Sequence, residues 1–219
     1  MSSRAAREKV SENVFSISGL GVRFRYRLQR FWAQAVGRCN ALLPHYGKSM
    51  STASPLRNRV LTSLGADDFH LLEPHLEPVS FPVRHRLEFR NRPIKTAYFP
   101  ERGIVSVIAS GRRDKNIEVG IIGWEGMTGL PMVMGTDRSP HETYVQVEMV
   151  GHGIAAEHLR AGMDSSASMQ RVFLNFAYVF SVQAAHTALA NGRARLEERL
   201  ARWLLMALDR ATADNRSHR

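Results

Sequence analysis

The sequence predicts an α+β protein: a double-stranded β-helix (jelly-roll-like) with short flanking helices, followed by a long C-terminal helix. Two observations support this prediction. Strand signals recur between residues 79 and 155 with no helical pattern among them, and a long segment with helical apolar spacing follows. Many short strands without intervening helices are typical of an antiparallel barrel or jelly roll.

Two short helices are predicted before the strands. The first has apolar residues at helical spacing, namely Leu56, Val60, Leu61 and Leu64. The second begins near Gly65 and runs through Leu72, with Asp67 or Asp68 as a candidate N-cap.

Seven strands are predicted, separated by Pro, Gly or Asn at the joints. They are Val79–Val83, Leu87–Phe89, Thr96–Phe99, Ile104–Ala109, Ile117–Ile122, Thr143–Val147 and Gly153–Ala155. A short helix over Glu157–Met163 follows the last of them.

A glycine ladder lies at the end of the fifth predicted strand: Gly120, Gly123, Gly126 and Gly129. Glycine lets backbone N–H groups approach a ligand closely, and consecutive amides in such a turn can form an anion-binding nest. The alternative is that these glycines only make tight turns between strands. The spacing alone leaves both interpretations open.

The long helix opens at Ser166–Gln170 and carries a wide apolar face that something must bury. A second copy of the chain is the simplest partner, and packing on its own barrel is the alternative. Gly192 interrupts the helix, and a further amphipathic helix follows from Leu196 to Leu208. The predicted dimer interface consists of Met169, Val172, Phe173, Phe176, Val179, Phe180 and Gln183.

Composition limits the class of protein. The chain has 219 residues, enough for one domain with extensions, and no uninterrupted apolar run long enough to span a membrane. Its one cysteine, Cys39, rules out an internal disulfide framework. A reducing, cytoplasmic compartment is therefore expected.

The positive charge is concentrated at the N-terminus. Residues 1–49 carry nine basic and two acidic side chains, which is +7 of the net charge of +10. This segment is interpreted as a disordered tail or a translated leader, with an arm for nucleic acid or an anionic membrane and a targeting peptide as alternatives. The predicted organisation is a basic extension (1–50), the β-structure (51–163), the dimerisation helix with the start of the next (164–210), and a polar tail (211–219).

Metal and enzyme chemistry are not expected. None of the nine histidines forms a pair at the spacing of a His-Glu-x-x-His helix. The chain also has no nucleophile elbow, P-loop or dinucleotide-binding fingerprint in a suitable context.

Several segments in combination resemble the sensor half of Crp/Fnr-type transcription regulators, which has a cyclic-nucleotide-binding-like β-roll. The segments are Asn91-Arg92-Pro-Ile, Tyr98-Phe99-Pro-Glu101-x-Gly103, Glu118 through Leu130, the alanine-rich stretch from Gln183 to Asn191, and Arg199-Leu-x-x-Trp203-Leu-Leu. Together they cover about residues 55–210.

The resemblance implies a phosphate-binding turn followed by an arginine and a small or hydroxyl residue. The implied ligand-binding residues are Gly126, Met127, Thr128, Gly129, Leu130, Arg138 and Ser139. Met127 stands where binders of cyclic AMP carry a glutamate that accepts from the ribose hydroxyl, and a thioether accepts only weakly. The residues therefore argue against cyclic AMP and leave the effector unknown: another small anion, or none.

The resemblance also implies a homodimer and, in complete relatives, a C-terminal winged helix-turn-helix that reads DNA. The nine residues after Arg210 are too few to form that domain, so the chain is expected to be truncated and not to bind DNA by this route. Two other functions remain open. The chain could heterodimerise with full-length paralogues without any ligand, or bind nucleic acid through its basic N-terminal segment.

Overall fold

A computed structural model describes residues 56–111 and 116–211. The predicted N-terminal extension and the tail beyond Ala211 lie outside the described residues. The described residues belong to one compact unit.

Two short helices open the described chain, as predicted. Helix α1 spans Arg59–Thr62 and helix α2 spans Ala66–Leu72, after which Glu73–His75 makes one 3₁₀ turn. Neither Asp67 nor Asp68 caps α2, because its N-cap is Gly65, which makes no side-chain capping bond. Asp68 instead accepts from the hydroxyls of Ser166 and Ser168 at the start of the long helix, so tertiary contacts take the carboxylate that local pattern assigned to capping.

Among the described residues, the β-structure consists of five strands rather than the seven predicted. They are β1 (Glu77–Phe81), β2 (Arg86–Glu88), β3 (Thr96–Ser110), β4 (Asn116–Ile122) and β5 (His141–Ala155). All pairings are antiparallel: the strand order is β1-β5-β3-β4, and β2 also pairs with β5. The predicted antiparallel architecture is confirmed, while two pairs of predicted strands merge.

Glycines at the expected joints allow β3 and β5 to continue as long, bulged strands. The β3–β5 register shifts between Pro100 and Val105, and Gly103 in this stretch has a φ of 90°. A β-carbon at Gly151 would stand 2.9 Å from Pro100 Cα on the facing strand. A bulge bends a strand without ending it, and glycine permits the close backbone approach.

The core has two parts. The larger lies between the helices and the β-structure and includes Leu72, Phe99, Met127, Leu159 and Phe173, each fully buried. The smaller lies within the β-structure, and its members are Val105, Val107, Ile122, Val145 and Met149.

In the part of the chain that the structure describes, four helices follow β4. Helix α3 (Leu130–Val133) lies between β4 and β5, whereas α4 (Ala156–Ser165), α5 (Ala167–Arg193) and α6 (Leu196–Ala211) follow β5. Ser166 caps α5, because its hydroxyl accepts from the Met169 amide at 3.1 Å. The predicted long C-terminal helix is confirmed.

By length and composition, α5 is apolar enough to cross a membrane, with a mean hydropathy of 1.3 over its best window. Polar residues interrupt it, including Asn175, Gln183 and His186. Gln183 is 4% exposed, and its side chain binds the backbone of Ile121 in β4. This contact ties α5 to the β-structure of its own chain.

Candidate functional site: the glycine-rich turn and the helices packed on it

The glycine-rich turn, residues 123–129, connects β4 to α3. Only Gly129 within it has a left-handed conformation, with φ of 78°, and it serves as the N-cap of α3. That conformation favours glycine, so position 129 requires it. The other glycines of the ladder need a different explanation.

Hydrogen bonds within the chain already use the backbone of this turn. Thr128 exchanges two bonds with Tyr98 of β3: its amide donates to the Tyr98 carbonyl, and its hydroxyl accepts from the Tyr98 amide, both at 2.9 Å. The Gly126 amide donates to the Gly123 carbonyl at 3.0 Å. The carbonyl of Gly126 in turn accepts from the Asn58 side chain at 2.8 Å.

The Gly129 amide donates to an internal carboxylate. Its partner is Glu88 Oε1 at 2.6 Å, and the other oxygen of Glu88 accepts from the Thr143 hydroxyl at 2.9 Å. Glu88 is 6% exposed. Burial raises the pKa of this carboxyl, although the two hydrogen bonds act in the opposite direction. The group that accepts from the Gly129 amide is therefore the carboxyl of a side chain that the sequence did not single out.

The remaining predicted ligand residues are divided between core and surface. Met127 and Leu130 pack in the larger core cluster. Ser139 is 4% exposed, and its hydroxyl accepts from the His141 amide at 3.0 Å. The Arg138 side chain is 56% exposed and donates to the Asn91 carbonyl at 3.1 Å. Arg138 Nε also lies 3.5 Å from Asp137 Oδ1. These contacts of Arg138 and Ser139 lie in the loop before β3 and at the start of β5, outside the glycine-rich turn.

Three glycines of the ladder instead make room for side chains of the C-terminal helices. A β-carbon at Gly120 would stand 2.9 Å from the Phe180 ring, and one at Gly126 would stand 2.6 Å from Phe176 Cε2. A β-carbon at Gly123 would stand 2.8 Å from Arg210 Cγ. Real β-carbons essentially never approach heavy atoms this closely, so the ladder forms a surface on which α5 and α6 pack.

Both helices bind one residue of β4. The amide of Ile121 donates to Gln183 Oε1 at 2.7 Å, while its carbonyl accepts from Gln183 Nε2 at 3.1 Å and from Arg210 Nη2 at 3.3 Å. Arg210 is 6% exposed and also pairs with Glu125 Oε1 at 2.5 Å. Neither role has a local signal in the sequence, since the partners lie 62 and 89 residues away in the chain.

The predicted interface residues of α5 mostly face their own chain. Met169 and Phe173 are fully buried in the core, and Gln183 binds Ile121. Three more pack partly buried against the core clusters, namely Val172, Phe176 and Phe180. Val179 is partly exposed. Phe173 and the two other buried residues therefore contribute to intrachain packing, and the interface itself stays a prediction.

A different apolar stripe of α5 is exposed. Leu174, Tyr178 and Leu189 are 42%, 67% and 60% exposed, and Ala185 lies between them on the same side. Helix α6 also exposes apolar side chains, namely Leu196, Leu200, Leu204, Leu205 and Leu208.

Within the part of the chain that the structure describes, no three His, Cys, Asp or Glu side chains are grouped so that they could hold a metal ion. Two histidines, His75 and His158, stack with their ring centroids 3.7 Å apart.

No protein-family model matches the sequence, and no curated protein matches it. Solved structures do match the fold. A Crp/Fnr-family transcriptional regulator described as putative, from Eubacterium rectale, has a TM-score of 0.59 and 13% identity over 68% of this chain and 70% of that one. FixK2 from Bradyrhizobium japonicum has a TM-score of 0.55 and 14% identity over 62% of this chain and 67% of its own.

A third structure is the c-di-GMP-responsive global regulator CLP of Xanthomonas campestris, with a TM-score of 0.51 and 20% identity over 64% of this chain and 70% of that chain. Two of these proteins, CLP and the Eubacterium rectale protein, are described as regulators. At these identities the likeness establishes the fold alone. The chain therefore has the β-roll fold of Crp/Fnr-type transcription regulators and cyclic-nucleotide-binding proteins, as the sequence resemblance implied.

Proposed function

We propose that this chain is a cytoplasmic regulatory protein of the Crp/Fnr type that acts as a homodimer through α5. We propose no enzymatic activity for the chain. The fold supports the regulatory assignment, and the exposed stripe of α5 supports the dimer.

The proposed dimer rests on the exposed apolar stripe of α5. Leu174, Tyr178, Val182, Ala185 and Leu189 follow one another at intervals of four, four, three and four residues. Intervals of three and four residues keep all five on one side of the helix. Contiguous exposed apolar surface on this scale marks an interaction site, and a second α5 offers the same spacing.

The opposite face of α5 supports the same arrangement. Met169, Phe173 and Gln183 fix this face against the chain's own β-structure, so the exposed stripe is held at the surface in one orientation. A rigid, preorganised apolar seam loses little conformational entropy when it binds a partner.

Size-exclusion chromatography with light scattering tests the dimer. Tyr178→Glu places a charge in the centre of the stripe and is expected to halve the measured mass. Val83→Glu is the matched control, because Val83 is 54% exposed on the loop between β1 and β2. It is expected to keep the dimer mass. A Tyr178→Glu variant with the mass of the wild type would contradict the proposed interface.

We further propose that any small anionic effector binds at the surface through Arg138 rather than inside the turn. The amides of Gly126, Thr128 and Gly129 are used within the chain. The Arg138 side chain is more than half exposed, with Nη1 on the Asn91 carbonyl and Nε 3.5 Å from Asp137 Oδ1. Titration calorimetry with cyclic AMP and with inorganic phosphate tests this. Heat with cyclic AMP is not expected, and heat with phosphate that survives in Arg138→Ala would remove the site.

A further inference from the structure

Arg210, in the last turn of α6, is buried although it is an arginine. Its Nη1 donates to the Met206 carbonyl at 2.8 Å, and Nη2 reaches both the Ile121 carbonyl and the Glu125 carboxylate. Removing one partner of a buried ion pair is strongly destabilising, because it leaves the other charge uncompensated. The Glu125 contact therefore holds the end of α6 on the glycine-rich turn.

Gly123 provides the space that Arg210 occupies. A β-carbon at position 123 would stand 2.8 Å from Arg210 Cγ and 2.9 Å from both Arg210 Cδ and Glu125 Oε2. Any larger residue at 123 must displace the arginine stem or the carboxylate. The position of the Arg210 side chain thus depends on the absence of a side chain at Gly123 as well as on its charge.

A second carboxylate lies under the same helix. Glu118 of β4 accepts from the Ser106 hydroxyl at 2.7 Å, and the Trp203 side chain of α6 lies close enough to lower its pKa. Burial raises the pKa of Glu118, whereas the charges of Arg202 and Arg210 oppose that rise. Helix α6 therefore contacts β4 and the turn through polar groups.

The outward face of α6 is apolar and exposed. Leu200, Leu204 and Leu208 are 55%, 52% and 54% exposed, so this face does not hold the helix on its own chain. Helix α6 is instead held on its own chain by the inward-facing side chains of Trp203 and Arg210. Arg210 also connects α6 to α5, because Arg210 and Gln183 of α5 donate to the same Ile121 carbonyl.

We infer that α6 is a latch on the glycine-rich turn, closed by Arg210 seated at Gly123 and paired with Glu125. Opening the latch loosens both elements, because the ion pair is shared between them. These contacts lie within one chain, so the latch does not depend on the proposed dimer or effector.

Hydrogen–deuterium exchange of the full chain tests the latch. Arg210→Met keeps most of the aliphatic stem and removes the charge. Exchange is expected to rise about tenfold or more in residues 200–211 and in residues 123–126, given the usual contribution of hydrogen bonds to charged groups. Arg199→Met is the control, an exposed arginine on the same helix, and is expected to change neither segment.

Coupling between two elements must be reciprocal. Glu125→Gln, in the turn, is therefore expected to speed exchange in residues 200–211, and Gly123→Ala is expected to do so by displacing Arg210. Exchange in the core strand segment 145–149 is expected to stay unchanged in all three variants. Faster exchange in α6 alone, in neither element, or equally in residues 145–149 would overturn the latch. If Arg210→Met does not fold, Glu125→Gln decides the question.

Discussion

The ring of Phe176 in α5 occupies the space that a side chain at position 126 would need. A β-carbon on Gly126 would stand 2.6 Å from Phe176 Cε2 and 3.0 Å from Ile122 Cγ2. Phe176 also packs against both core clusters, so its ring has little room to withdraw. The glycine at 126 is therefore a packing requirement of the long helix.

Gly126→Ala is expected to lower the free energy of unfolding by about 1–3 kcal/mol, the usual cost of overpacking a well-filled core. Denaturant titration measures this. Gly192→Ala is the control, since a β-carbon there would meet no described atom within 4 Å apart from its chain neighbours and the nearby backbone of its own helix, α5. It is expected to be neutral or to stabilise by up to about 1 kcal/mol, because alanine favours helix over glycine.

The cause of that loss can be tested by a double-mutant cycle. Phe176→Leu removes ring atoms and leaves a cavity, so each single change destabilises. Combined with Gly126→Ala, the new methyl group fills part of that cavity, and the double variant is expected to lose less than the sum of the two. Strict additivity would show that the contact is not the source of the cost.

These contacts explain why the sequence suggested an anion-binding nest at the glycine-rich turn. The spacing of Gly120, Gly123, Gly126 and Gly129 identifies a segment that needs small residues but not what approaches them. The residues that do so at the first three positions come from α5 and α6, far along the chain, and have no local signal. Only Gly129 meets the conformational requirement that a phosphate-binding turn also imposes.

Helices and strands with a strong apolar period could be predicted from the sequence. Which face of a helix packs on the core could not. The long helix and the antiparallel strands follow from apolar spacing, which is local. Helix α5, however, carries two apolar stripes, one through Phe173 and one through Tyr178. Periodicity alone does not show which stripe packs on the β-structure, so the predicted interface included residues that the chain buries itself.

Glu88 gives the fold a dependence on pH. Burial raises the pKa of its carboxyl in the folded chain, so the folded state binds this proton more tightly than the unfolded state does. The contribution to stability is therefore largest below the ordinary pKa of a glutamate and declines as the pH rises through the raised value. Relative to Glu88→Gln, the wild type is expected to gain stability as the pH is lowered through this window.

Glutamine is a suitable reference here because it can keep both contacts. Its carbonyl oxygen can accept from the Gly129 amide, and its amide can donate to the Thr143 hydroxyl. Thermal unfolding across the acid range measures the difference, with Glu148→Gln as the control for removing an exposed carboxylate. A difference that is constant with pH, or that favours the wild type as the pH rises, would contradict the assignment.

Asn58 connects the glycine-rich turn to β3 and α1 by side-chain hydrogen bonds. It is fully buried, its Nδ2 donates to the carbonyls of Pro100 and Gly126 at 2.7 and 2.8 Å, and its Oδ1 accepts from the Leu61 amide at 3.1 Å. Each carbonyl left without a donor costs about 1–3 kcal/mol, and loss of an N-cap costs about 1 kcal/mol. Asn58→Ala is therefore expected to lower the free energy of unfolding by about 3 kcal/mol or more in denaturant titration.

Asn58→Asp separates these contributions. Aspartate keeps an oxygen that can cap Leu61 but has no donor for Pro100 and Gly126 when ionised. If the two carbonyl contacts dominate, it is destabilised at neutral pH at least as much as Asn58→Ala. An Asn58→Asp variant close to the wild type would mean that Asn58 acts mainly as a helix cap. Asn175→Ala, at an exposed position of α5, is the control and is expected to stay within about 0.5 kcal/mol of the wild type.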